Sequence, residues 1–226
     1  MKYLVVCTCL LWMNASFLAQ GSYQLGTLPS VNLNKKLKND WSLNLKVETR
    51  QIYQTGTFSG DFEHGFNYQL SDFTFVAARK IGFYGRVGGG YLLRFREGEV
   101  VHRINQQYNF TRQYNRLKLS HRIMTDQTFF RYQGPDVRLR YRLSSQMPLN
   151  GSSLDQRECY VKVNHEYVNN VQEGDYNLEV RLIPMLGYAI NTQNKVEVGV
   201  DYRLNAVVTD EINHRFWVAV NWYLEL

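Results

Sequence analysis

The chain has 226 residues with 26 basic and 20 acidic side chains, a net charge of +6, and its 16 tyrosines, 12 phenylalanines and 4 tryptophans make it rich in aromatics. The basic excess is mild and forms no tract, so nucleic acid is not an expected partner. Beyond the first twenty residues no run approaches about 18 consecutive apolar residues, which excludes a helical membrane protein.

The chain opens on Met1-Lys2-Tyr3, continues with "LVVCTCLLWM" and leaves through "NASFLAQ". One positive charge, a short apolar run and a small-residue exit predict a secretory signal peptide over residues 1–20, cut near Ala19 or Gln20. The apolar run is shorter than the roughly 20 residues of a membrane span. Cys7 and Cys9 raise a lipoprotein signal as the competing reading, but neither follows a good small-residue lipobox. Residues 21–226 then form one domain. Cys159 is its single cysteine, so neither an intramolecular disulfide nor a cysteine zinc site is expected.

From residue 27 onward the pattern alternates with period two, the signature of strands with two unlike faces. A first strand is predicted over 27–37. Over 41–53, Trp41, Leu43, Leu45, Val47 and Thr49 oppose Ser42, Asn44, Lys46, Glu48 and Arg50. The stretch 61–80 changes parity: Phe62, Phe66, Tyr68 and Leu70 are even, Phe73, Phe75 and Ala77 odd. It reads as two strands turning near Ser71-Asp72, or as one long bulged strand. Further strands are predicted over 83–96, 99–111, 114–130, 135–147, 156–168, 176–190, 195–207 and 213–226. Turn signals such as "KND", "EG", "QEGD" and "NTQN" separate them.

These strands exceed the usual globular length of about 5–6 residues and reach the 9–11 that a tilted membrane strand needs. A soluble sandwich would explain the alternation but not the length, the aromatics or the export signal. The expected fold is therefore all-β, a transmembrane antiparallel β-barrel with its apolar face to lipid and its charges inside. Splitting 61–80 gives twelve strands with both chain ends on the periplasmic side; ten is the alternative.

If the polar faces point inward, strands between 99 and 147 supply Arg103, Arg116, Lys118, Arg122, Arg138, Arg140 and Arg142. Later strands supply Glu158, Glu166, Glu179, Arg181, Glu197, Asp201, Arg203 and Glu225. A basic wall would then confront a largely acidic one. Two readings stay open. The charges could knit a small lumen shut, as buried charges require partners, or they could line a narrow pore. No catalytic role is expected, nor any metal or cofactor. Ser120 and His121 are adjacent, so a strand sends them to opposite faces, and no nucleophile elbow, zinc-protease or phosphate-loop motif occurs.

The segments "LPSVNLNKKLKNDWSLNLKVETRQ", "GGGYLLRF", "HRINQQY", "NRLKLSHRIMTDQTF", "VRLRYRLSSQMPLNG" and "NKVEVGVDYRLN" together resemble the outer-membrane β-barrel family catalogued as domain of unknown function 2490, common in Bacteroidota. The resemblance spans nearly all of residues 21–226 and rests on strand patterns. It implies a barrel in the outer membrane, with lipid as its surroundings, and carries over no catalytic residue. The final strand, "FWVAVNWYLEL", is similar to the C-terminal recognition strand used by the barrel-insertion machinery, with Leu226 where such strands usually end in an aromatic. Envelope protein partners stay open.

Overall fold

The computed structural model describes residues 21–208 and 212–226. The expected signal peptide, with Cys7 and Cys9, lies outside them. The described residues form eleven strands closed into a single barrel. They are β1 (Ser22–Lys36), β2 (Trp41–Thr57), β3 (Phe62–Ile81), β4 (Gly85–Arg96), β5 (Glu99–Tyr114), β6 (Leu117–Phe129), β7 (Asp136–Pro148), β8 (Glu158–Gln172), β9 (Asp175–Ala189), β10 (Asn194–Asn205) and β11 (Asn213–Glu225). Each pairs with its chain neighbours, and turn chemistry explains how. Glu97-Gly98 and Glu173-Gly174 all take positive φ, the paired left-handed geometry of a two-residue hairpin loop. Asn39 and Asp40 do the same between β1 and β2, a conformation that short polar side chains tolerate.

The expected twelve strands become eleven because residues 62–81 are one strand. Its parity change is a bulge: Leu70 pairs with Arg50 and Tyr68 with Gln51, so Gln69 has no opposite number. An extra residue in one strand moves every later side chain to the other face. Tyr68 therefore points out, while Leu70, expected from its even number to share that face, is buried inside with Asp72.

An odd count alters the closure. Ten neighbouring pairs are antiparallel, but β1 and β11 run parallel, from Ser22 opposite Asn213 to Asn34 opposite Glu225. Ser22 and Glu225 thus lie at opposite ends of the barrel, not both at one end as a twelve-stranded chain would have them.

Polarity across the wall is inside-out. On the outer face Ile104, Ile123, Leu139, Leu182, Leu186, Val198, Val200, Val218 and Trp222 are exposed. Inside, Glu48, Asp72, Asp126, Arg140, Glu166, Glu197, Asp201 and Arg203 are buried. Polar groups that do face outward mostly bond one another. Tyr91 Oη meets His102 Nδ1 at 2.5 Å and His121 Nδ1 meets Tyr141 Oη at 2.9 Å. Gln106 accepts from Thr125 Oγ1 at 2.7 Å and from Gln127 Nε2 at 3.3 Å.

Candidate functional site: the lumen

A cavity of about 1460 Å³ runs inside the barrel. It reaches Phe83, Tyr84, Thr192 and Gln193 in the turns at the end where the chain finishes, and Arg96 and Arg215 towards the other. From Arg215 to Glu225 a strand rising about 3.3 Å per residue, tilted about 40°, covers on the order of 25 Å of barrel axis. The volume is room for tens of waters at about 30 Å³ each, so the interior is neither a packed apolar core nor a wide channel.

Its wall is built by alternation. Even-numbered residues point inward on β2 and on β6 to β8, odd-numbered ones on β5 and on β9 to β11. Thirteen of the fifteen predicted lumen residues face this space: all but Glu166 line it directly, and Glu166 sits fully buried behind three arginines that do. Arg116 and Glu158 do not, because they stand at strand ends. Arg116 occupies the β5–β6 turn, where its Nη2 donates to the carbonyls of Pro148 at 3.1 Å and Leu149 at 3.3 Å. Glu158 opens β8 and accepts from the backbone of Asp155 at 3.0 Å.

The predicted confrontation of a basic and an acidic wall is not what the fold makes. Opposite charges interleave along and between neighbouring strands. Asp126 pairs with Arg140 at 2.6 Å, Asp136 with Arg138 and Glu179 with Arg181. Asp201 accepts both arms of Arg203, at 2.9 and 2.8 Å. Sequence reasoning left out a second cluster on β2 to β4. There Glu48 takes Lys46 at 2.5 Å and Arg50 at 2.9 Å, and Asp72 holds Arg94 in a fork of two 2.7 Å bonds. The alternation of "SLNLKVETR" carried the signal for Lys46, Glu48 and Arg50. For Asp72 the bulge hid it.

Two arrangements recur at the centre. Glu166 accepts from Arg122 at 3.0 Å, Arg142 at 3.1 Å and Arg181 at 3.2 Å. Register explains this knot, for Arg122, Arg142, Glu166, Arg181, Arg203 and Arg215 form one continuous cross-strand row from β6 to β11. Glu197 accepts from Tyr160 at 2.9 Å, Lys162 at 2.9 Å and Tyr223 at 3.0 Å. The Tyr160 ring crosses Gly187 to get there: a Cβ on Gly187 would lie 2.2 Å from the ring. Gly187→Ala is therefore expected to displace Tyr160 and destabilise the barrel by about 1–3 kcal/mol, the usual cost of overpacking. Urea unfolding of the refolded barrel measures it, and an unchanged midpoint would mean that the ring has another place to go.

Pairing does not cancel the charge. Eighteen lysine and arginine side chains line the cavity against seven carboxylates, and Asp136 and Glu166 behind them bring the acidic side to nine. The lumen is roomy, extensively ion-paired and net basic. Ser120 faces it while His121 bonds Tyr141 outside, so these neighbours do not act together.

A family model described as protein of unknown function (DUF2490) matches residues 25–214. No curated protein and no solved structure matches the chain.

Proposed function

The chain belongs to the DUF2490 family, and from that premise we propose that it is an outer-membrane β-barrel whose hydrated basic lumen serves as a small pore for polar solutes. The observation that carries this reading is the inside-out wall, with exposed aliphatic and aromatic side chains outside and buried charges around a cavity within. In water such an outer surface would be a very large apolar patch, which soluble monomers avoid. In a bilayer it is the surface that lipid requires, and a closed sheet leaves no backbone edge unpaired there. The strands are 12 to 20 residues long, beyond the 9–11 needed to cross. The mutual bonding of outward Gln106, Thr125 and Gln127 also suits a surface where water cannot satisfy them.

Delivery there would use the signal peptide, and assembly would use β11 as the strand read by the insertion machinery. No catalytic role is proposed for any residue. The alternative reading is a structural subunit of an envelope assembly, and the Glu166 and Glu197 knots favour it, because they tie six strands together across the lumen wall. Conductance separates the two. The full barrel, refolded into a planar lipid bilayer, is expected to give discrete current steps in potassium chloride. A correctly folded barrel, identified by heat-modifiable gel mobility, that passes no current would overturn the pore and leave the structural subunit.

A further inference from the structure

Among the described residues, Arg103 is a buried cation in the lumen wall that no carboxylate pairs. Arg103 on β5 is 5% exposed. Its Nε donates to Thr128 Oγ1 at 2.8 Å, while its Nη2 is buried without a hydrogen-bond partner. The other charges acting on it are the guanidiniums of Arg138, Arg94 and Arg140, with Asp126 as the single carboxylate among them. Those neighbours already hold carboxylates: Arg94 has Asp72, Arg138 has Asp136 and Arg140 has Asp126. Arg103 has none. A buried cation without a counter-charge is costly, and Arg103 belongs to the cavity wall.

The surroundings complete a site. Asn105 lies two residues further along the same face of β5 and opposite Asp126, which faces Arg138 on β7. Arg138 faces Asn170 on β8, and Asn170 faces Asn177 on β9. The side-chain oxygens of Asn105, Asn170 and Asn177 are buried without partners, as is Nε of Arg138. An amide's oxygen and nitrogen are told apart by their partners. With nothing fixing them, these three amides are free to turn their NH₂ groups towards the lumen.

We propose that Arg103, Arg138, Asn105, Asn170 and Asn177 form a lumenal binding site for a small oxyanion, a carboxylate or phosphate. Arginine presents a planar fork that matches such an anion with two parallel bonds, and amide NH₂ groups suit its remaining oxygens. The excess of basic residues along the lumen would concentrate anions on the way to it. Binding stands on this geometry alone. That the bound species is also what passes through rests on the pore reading.

The test uses the full barrel refolded in detergent, titrated calorimetrically with inorganic phosphate and with succinate at fixed ionic strength. Both anions are expected to bind, and Arg103→Gln to weaken them about tenfold or more, the value of a charge-assisted bond. Arg112→Gln serves as the charge-loss control, since Arg112 is even-numbered on β5, whose odd-numbered residues face inward, and is not part of the cavity wall, and should leave affinity unchanged. If Arg103→Gln does not fold, Asn170→Ala takes its place, with a several-fold loss expected. Absence of binding in the wild type, or equal affinity in the lumen variants, overturns the site. Phosphate binding without bilayer conductance would retain the site and reject the pore. Conductance without binding would do the reverse.

Discussion

Glu166→Ala is expected to destabilise the barrel by about 3–5 kcal/mol, the cost of breaking a buried ion network by removing one partner. Glu166 is 0% exposed and is the shared acceptor for Arg122, Arg142 and Arg181. Removing it leaves three guanidiniums, from β6, β7 and β9, around the position it vacates. Arg181 keeps Glu179, but Arg122 and Arg142 have no other carboxylate among the ion pairs of the described residues. Repulsion then adds to the lost bonds. Glu166→Gln should fall between, because it keeps the acceptor oxygen and loses the charge. The double change Glu166→Gln with Arg142→Met should recover part of the loss, since removing an unpaired buried charge relieves its desolvation. Urea unfolding of the refolded barrel, followed by tryptophan fluorescence, gives all three values. A loss below about 1 kcal/mol for Glu166→Ala, the worth of an exposed pair, would show that lumen water screens the network as bulk solvent does.

Trp217 is expected to show the second large effect, and its two substitutions should diverge. It is 1% exposed and lies inside the wall with Leu28, Ile52, Ile183, Met185 and Ala219. It packs against β1, where a Cβ on Gly26 would stand 2.6 Å from the indole. Trp217→Ala empties that volume beside the β1–β11 seam and should cost about 3–5 kcal/mol. Because the indole Nε1 has no hydrogen-bond partner, Trp217→Phe deletes no bond and should cost under about 1.5 kcal/mol. The cavity made by alanine adjoins the lumen, so single-channel conductance should rise with Trp217→Ala and stay near wild type with Trp217→Phe. Equal stability losses for the two variants would refute the packing role.

Much of the interior was legible because a strand's period is two and admits little ambiguity. Once one face of β7 is read as Val137, Leu139 and Tyr141, the other must carry Arg138, Arg140 and Arg142, and all three line the cavity. The misreadings fall where alternation is locally broken. At Gln69 a bulge imitates a turn, and so one strand reads as two. Arg116 and Glu158 stand at strand ends, where the rim and not the lumen receives the side chain.

The sequence by itself determined that the chain is all-β, that its strands are long, and which side chains share a face, because all three are properties of single strands. It also carried the resemblance that the family match bears out. Tertiary structure alone decided how the strands meet. Closure over eleven strands makes β1 and β11 parallel, and register sets Glu166 between arginines contributed by β6, β7 and β9. The same register pairs Asp126 with Arg140 and leaves Arg103 with Thr128 alone. Which charge finds a partner depends on the offset between neighbouring strands. A shift of one residue would turn each of these side chains from the lumen to the outer face.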